Sequence, residues 1–408
     1  MFYIKNILQS LKKIRRYSVK ALQFLPFLSD YIDIPKGYYS SSLEYFNLNK
    51  SSNENIPTLR YAEFLPSSMS CRNLPSSIYD ETHWKFKNKL TQVNPNSFLV
   101  CINNGRVVGK QGTVITQDNK LLLDVSLEFG IGEHLNNVMH HQIFCRFRLP
   151  YCRNIVGSVA VLSMPGAEAY FHWLTDALPR IEILKKLLPD GLDSIDYFII
   201  NQGIPAISES LDLLGIPQEK LLFASSNLHI EASHLIIPSF PGQTGDPPAW
   251  AIKFIRDTFL PGVDEENQSN HYLYISRASA RYRRVSNEEE VISHLEKMNL
   301  NFQVVRLEKY SFREQIYLML NAKVVISPHG AGLTNLLWCK PRTKVLEIFS
   351  PNYVNTCFWA IANQIDIDYY YLIGDEKQFI TYPSLSAGRE NITVCIDKLE
   401  QTLRLMEL

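Results

Sequence analysis

One stretch constrains the rest of the chain: Ala322 to Phe349, AKVVISPHGAGLTNLLWCKPRTKVLEIF. An apolar strand, Val324-Val325-Ile326, runs into Ser327-Pro328-His329-Gly330-Ala331-Gly332, then a short helical pattern, Leu333 to Trp338, and a second strand, Val345 to Phe349. This is a βαβ unit with a glycine-rich first turn. Glycines in such a turn let the backbone approach a ligand and aim free helix N–H groups at anionic oxygens. Thr334 and Asn335, in the first helical turn, can add hydroxyl and amide donors to the same anion, for which phosphate is the natural candidate. A tight connection without a ligand uses the same glycines. His329, at the strand's carboxyl end where open α/β sheets bind ligands, favours the functional reading.

At 408 residues the chain exceeds one ordinary core, and about two or three domains are expected. Lys+Arg and Asp+Glu are both 41, so the overall charge lacks the basic footprint of a nucleic-acid binder. The seven cysteines are odd in number and spread out with no Cys-x-x-Cys pair, which favours reduced thiols in a cytosolic protein. No run of 18 apolar residues is present, and the N-terminus lacks the core and cleavage site of a secretory signal. Residues 1–20 instead pair six positive charges with apolar residues at helical spacing. Such a helix can lie on an anionic membrane, or pack on its own domain.

Four segments are expected along the chain. Residues 1–95 hold the basic amphipathic helix and a loop-rich extension, and 96–265 form an acceptor-side domain that opens with a β-meander from Ser97 to Val125. A polar, acidic linker from Pro261 to Asn270 leads into a nucleotide-binding, Rossmann-like domain at 266–375, in which strands and helices alternate regularly. Residues 376–408 end in a helix predicted to pack back across the first domain. His134, His140 and His141 lack a suitably spaced acid or cysteine and read as surface or packing residues rather than metal ligands.

Two constellations carry chemistry besides the His329 loop. In AEAYFHWLTDALPRIEILKKLL, His172 and Asp176 are four apart and share a helix face lying away from the apolar stripe, just before a break at Pro179. This is either a reactive pair or a surface hydrogen bond. The second is Ser276-Arg277 after strand HYLYI, followed by Arg281, Arg283 and Arg284 in a turn closed by a helix cap at Ser286 or Asn287 with Glu290. Planar guanidinium groups of fixed charge suit a diphosphate. Alone such a turn reads as solvated surface, but its place at a strand end in the same domain as the glycine loop points to a ligand. Glu347 is placed to accept from ribose hydroxyls.

FHWLTDALPRI, ISRASARYRRVSNEEE and SPHGAGLTNLLW followed by KVLEIF resemble the blocks of glycosyltransferase family 61, often described as capsular polysaccharide biosynthesis proteins. The resemblance spans about Ser97 to Gly374. It implies a GT-B-type α/β fold of two facing Rossmann-like domains, and inverting transfer from a nucleotide sugar, usually UDP-linked, to a hydroxyl of a glycan or glycolipid. Capsular, exopolysaccharide or lipopolysaccharide synthesis would be the setting. By resemblance Arg277, Arg283, His329, Gly330, Gly332, Thr334 and Glu347 belong to the donor site, while His172 and Asp176 face the cleft; Arg284, Ala331 and Asn335 join the donor set from the residue reading. Relatives from animals and plants usually carry an anchor or signal segment, so the chain is expected in the bacterial, cytoplasmic branch, with residues 1–20 as its peripheral membrane contact.

Inverting transfer needs a base for the acceptor proton and groups to stabilise the departing diphosphate. Asp176, aided by His172, is assigned the first role; Arg277, Arg283 and the helix start at Gly330 to Asn335 take the second. On this reading no obligatory metal or other cofactor is implied, and Asp366-Ile367-Asp368 is a chance Asp-x-Asp. Two alternatives use similar parts: transfer of a pyruvyl or sulfuryl group to a glycan, and a non-catalytic nucleotide- or carbohydrate-binding module.

Overall fold

The structure, a computed structural model, describes residues 34–50, 60–129, 138, 140–264, 271–298, 302–375 and 387–408. The amphipathic segment 1–20, His134 and the second half of the expected linker lie outside the described residues. Two sheets dominate the fold, with a small hairpin beside them.

The first sheet is built on one long strand, β5 (Ser97–Val108), where several short ones were expected. The Asn-Asn-Gly stretch inside it does not turn the chain. Asn104 adopts a left-handed φ of 49°, and pairing with β11 (His229–Pro238) continues past it on both sides. β6 (Thr113–Ile115) and β7 (Lys120–Leu122) follow antiparallel, giving the expected meander, but as one flank of a nine-stranded sheet. The other flank is parallel: β8 (Arg153–Val161), β9 (Tyr197–Asn201) and β10 (Leu221–Ala224) run outward in turn, and the chain then returns to place β11 on the far side of β8. The junction of β8 and β11 is therefore a topological switch point.

The second sheet is wholly parallel. Its strands β12 (His271–Ile275), β13 (Phe302–Val305), β14 (Ala322–Pro328), β15 (Lys344–Phe349) and β16 (Asp368–Ile373) lie in the order β13-β12-β14-β15-β16. The chain goes one way from β12 to β13 and crosses back to β14, so the switch point falls between β12 and β14. Ligands in open parallel sheets sit in the crevice at the carboxyl ends of such a strand pair. Here those ends are Ile275-Ser276-Arg277 and Pro328-His329-Gly330.

Two expectations fail. The C-terminal helix, Ile396–Leu405, packs on the second sheet and not on the first domain. Its buried Leu399 and Leu403, with Met406 just beyond, share a cluster with Val324, Leu346 and Leu372, and Lys344 Nζ donates to the Met406 carbonyl. Nor are residues 60–95 a loose extension. β2 (Arg60–Leu65) pairs with β5, and the chain then crosses to the edge of the second sheet, where Ser76 and Tyr369–Tyr371 exchange backbone hydrogen bonds. Phe86 is fully buried among Phe349, Trp359 and Tyr371. Apolar side chains of both sheets join in one continuous core, so the two layers face each other across packed residues rather than solvent. No helix of the described residues is long and apolar enough to cross a membrane.

Candidate functional site

Arg277 leaves the end of β12 and lays its guanidinium on the backbone of Gly330, at the end of β14. Nη2 donates to the Tyr282 carbonyl at 3.1 Å, while Nε is buried with no hydrogen-bond partner among the described residues. Burial, reinforced by the neighbouring Arg283 charge, pushes Arg277 down to about 10. Arg283 takes a left-handed φ of 56° and turns inward. Its Nε donates to the His329 carbonyl at 3.1 Å and its Nη1 to the Gly388 carbonyl, with the guanidinium over Tyr353. Arg277 and the His329 loop are thus brought together, and Arg283 ties them to each other. Arg284 is exposed, and only its backbone is engaged there, with Asn391 and Ile392.

His329 is buried, and its Nδ1 is bonded to Glu347, whose second oxygen accepts from Tyr369. Glu347 is 0 % exposed with both oxygens occupied, which corrects its expected role as a ribose acceptor. It sits behind His329 and not in front of a ligand. Burial pushes the Tyr369 hydroxyl well up, and the Glu347 charge adds to this, so Tyr369 is a firm donor. Phe349, Tyr353 and Phe358 surround the imidazole.

Sequence spacing placed His172 and Asp176 on a helix face away from the apolar stripe, as a reactive pair or a surface hydrogen bond. The structure corrects this: the helix widens into a π turn at Trp173–Ala177, with Leu178 N donating to Trp173 O, and every residue of that turn is buried. A π bulge shifts the register by one residue and is frequent at functional sites. His172 Nδ1 lies 2.8 Å from Asp176 Oδ2, and Thr175 Oγ1 donates to the other oxygen at 3.1 Å. The Asp176 side chain is 8 % exposed and that of His172 25 %, so the imidazole is the member that meets solvent. Burial pushes the Asp176 carboxyl up, against the pull of His172, Thr175 and Thr244. Gly166, at φ 82° after β8, backs the imidazole so closely that a β-carbon would stand 2.7 Å from Cδ2.

The two histidine–carboxylate pairs stand on opposite sides of the contact between sheets. Phe171 touches His172 edge-on, Phe171 touches Phe358 edge-on, and Phe358 touches His329, with ring centroids 5.4, 5.7 and 5.1 Å apart. Beside this aromatic bridge lies a cavity of about 290 Å³. Tyr170, Ile204 and Pro205 from the first half of the chain and Leu307, Tyr310 and Phe312 from the second line it, together with Arg277, Ala331, Gly332 and Asn335.

Asn335 was expected to bind the ligand, but its amide is consumed. Oδ1 accepts from Tyr170 at 2.6 Å and Trp338 at 2.9 Å, and Nδ2 donates to Gln315 and the Gly332 carbonyl. It forms a wall of the cavity and bridges the sheets. Thr334 is fully buried behind the loop and does not reach the cavity. Ser311 and Glu314 form a full capping box, whereas Asn287 makes none and instead holds Glu290 and Val394. Residues overlooked in the sequence are Tyr170, Phe358 and Tyr369, aromatic positions whose role depends on contacts between distant elements. Asp366 ends a helix in left-handed backbone and Asp368 pairs with Arg342 at 2.7 Å, so the Asp-x-Asp is occupied structurally. Among the described residues no three His, Cys, Asp or Glu side chains group to hold a metal.

A parallel sheet with a buried guanidinium and a glycine loop at its switch point defines an α/β domain with a candidate ligand crevice. Residues 170–346 match the family described as Glycosyltransferase 61. The chain is 36% identical over 106 residues to beta-1,2-xylosyltransferase of Oryza sativa subsp. japonica, covering 24% of this chain and 20% of that protein. Beta-1,2-xylosyltransferase of Arabidopsis thaliana matches at 27% over 132 residues, 30% of this chain and 23% of that one. EGF domain-specific O-linked N-acetylglucosamine transferase of Drosophila melanogaster matches at 32% over 103 residues, 25% and 19%. The chain spans about a fifth of the length of the curated relatives it matches.

Proposed function

We propose that the chain transfers a sugar, with inversion, from a UDP-linked nucleotide sugar to a hydroxyl of a glycan, in the synthesis of a capsular or related surface polysaccharide. The observation that carries this is the meeting of Arg277 with the Gly330 loop at the β12/β14 switch point, beside a largely apolar cavity of about 290 Å³. On this reading the two sheets act as the facing halves of a GT-B layout, the second for the donor and the first for the acceptor.

The nucleoside occupies the apolar cavity, and the diphosphate meets the Arg277 guanidinium that lines it and the amides that begin the helix Ala331–Trp338, which no helical carbonyl can satisfy. The acceptor oxygen attacks the anomeric carbon from the side opposite the diphosphate. That carbon's bond to the diphosphate oxygen breaks, and the electron pair leaves with the diphosphate, whose charge Arg277 offsets. The hydroxyl proton passes to His172 Nε2. Asp176 is too enclosed to be the direct base and instead fixes the imidazole through Nδ1. Arg283 positions the loop, since its donors are spent on carbonyls. The cysteines, odd in number and spread out with no Cys-x-x-Cys pair, support a cytoplasmic setting, and residues 1–20 supply the proposed contact with an anionic membrane.

Mass spectrometry of the protein incubated with a panel of nucleotide sugars, scored for nucleoside diphosphate released, tests this. UDP release that His172→Ala abolishes and donor binding that Arg277→Ala weakens are expected. Absence of binding to any uridine or guanosine nucleotide would remove the proposal.

A further inference from the structure

The Asn-Asn-Gly segment of β5 does not turn the chain, and the Arg277 site makes no use of it. It borders a second, open groove of about 470 Å³ on the first sheet, lined by Asn104, Arg106, Gln117, Asn119, Asn154 and Glu231 together with Cys152. Register sets the row. Asn154 of β8 pairs with Glu231 of β11, and Glu231 with Arg106 of β5, so the three side chains stand side by side on one face, about 4.8 Å apart from strand to strand. Their chain neighbours Ile155, Ile230 and Val107 point the other way, into a buried cluster. Arg106 Nη2 donates to Asn119 Oδ1 at 2.7 Å, and Asn119 Nδ2 donates to the Ile34 carbonyl, which fixes this pair in place. Around it, the side chains of Asn104, Gln117, Asn154 and Glu231 have no hydrogen-bond partner among the described residues. Asn104 keeps its left-handed φ of 49° in mid-strand, a strained position of the kind that gathers at ligand sites, and β11 shifts register against β8 at the same level.

The lining selects the class of ligand. Arg106 and Glu231 bring one charge of each sign, so the groove favours neither an anion nor a cation. A single carboxylate without histidine does not hold a metal. No lining side chain besides Cys152 is apolar, so there is no wall for a lipid or an apolar peptide. What the groove presents are unpartnered amides, each both donor and acceptor, and a carboxylate acceptor, a set that matches the hydroxyls of a sugar. Tyr151, next in the chain to Cys152, is 92 % exposed and leaves a bare aromatic ring beside the lining. We propose that this groove is a binding site for a neutral glycan, separate from the proposed site of transfer. Asn154 lies at the amino end of β8 and His172 beyond its carboxyl end, and about 23 Å of strand separates Asn154 from Val161. An anchor at that remove retains a polymer between transfers. The inference goes beyond the transferase reading, and binding in the groove does not depend on it.

Frontal affinity chromatography on the immobilised full chain tests this, with maltohexaose, cellohexaose, xylohexaose and mannohexaose as neutral probes and hexagalacturonate as the acidic one. Retention of at least one neutral hexasaccharide, unaltered by saturating UDP, is expected. Asn154→Ala and Glu231→Ala should each weaken it about 3- to 10-fold, the loss of one or two hydrogen bonds. Asn154 is exposed, so its replacement leaves the fold intact, and the wild-type measurement needs no variant. No retention of any neutral probe, or stronger retention of hexagalacturonate, would overturn the inference. So would retention that both variants leave unchanged or that UDP abolishes, since the glycan would then lie elsewhere. UDP binding to the same column reads the donor site separately, so the two proposals fail independently.

Discussion

The guanidinium of Arg277 rests on Gly330 so closely that a β-carbon there would lie 1.8 Å from Nη1 and 2.4 Å from Cζ. Gly330 has an extended φ of 174°, so space and not backbone angle demands glycine. The loop's glycine serves the approach of a side chain from the neighbouring strand, and that approach builds the site.

Gly330→Ala is therefore expected to expel Arg277 and reproduce the Arg277→Ala phenotype. Both should weaken UDP binding about 10- to 100-fold, the loss of one charge-assisted hydrogen bond. Calorimetry of the two variants checks this, and unaltered affinity in Gly330→Ala would show that the guanidinium is free to lie elsewhere.

Removal of the imidazole should act on turnover and not on donor affinity. His172→Ala is expected to reduce kcat by roughly 100- to 10,000-fold, the range for a general base. Asp176→Asn should cost less, because the ring survives with a weaker hold on its Nδ1–H. Equal losses in UDP affinity would place the pair at the donor and not at the acceptor.

Asn335 joins the sheets through Tyr170, Trp338 and Gln315. Asn335→Leu leaves two buried donors without an acceptor and is expected to cost about 2 to 4 kcal/mol in urea unfolding. Tyr170→Phe, which removes one donor and leaves the amide in place, should cost about 1 kcal/mol. A neutral Asn335→Leu would mean that the bridge contributes nothing to holding the layers together.

Asp124 gives a pH signature. Burial pushes its carboxyl up from 3.8 to about 6, in spite of hydrogen bonds from Ser42. Between those values the folded chain binds more protons than the unfolded one, so this group's stabilising contribution is complete below pH 3.8 and is lost as pH rises through 6. Thermal midpoints of wild type should fall relative to Asp124→Asn between pH 4 and pH 6.5. Parallel curves would contradict this.

The alternation of strands and helices was legible after Asn270, because each strand is a short apolar run closed by turn residues. The position of the glycine loop at a strand end was legible for the same reason, since glycine spacing and a strand-end histidine are local. The Asn-Asn-Gly segment misled because pairing with β11 along the whole of β5 overrides a local turn signal. Glu347 misled because a carboxylate's depth depends on what β16 brings across it, here Tyr369. Asp176 misled because a π turn alters the helical phase on which its face was assigned. The C-terminal stripe of Leu399 and Leu403 was read correctly, but an apolar stripe does not name its partner.

A crystal structure of the chain with UDP bound tests the central claim most directly. The diphosphate should lie within hydrogen-bond distance of the Arg277 guanidinium and the amides of Ala331 and Gly332, with the uracil between Tyr310 and Ile204. Electron density for UDP on the first sheet, or at any position more than a side chain's length from Arg277, would contradict the account.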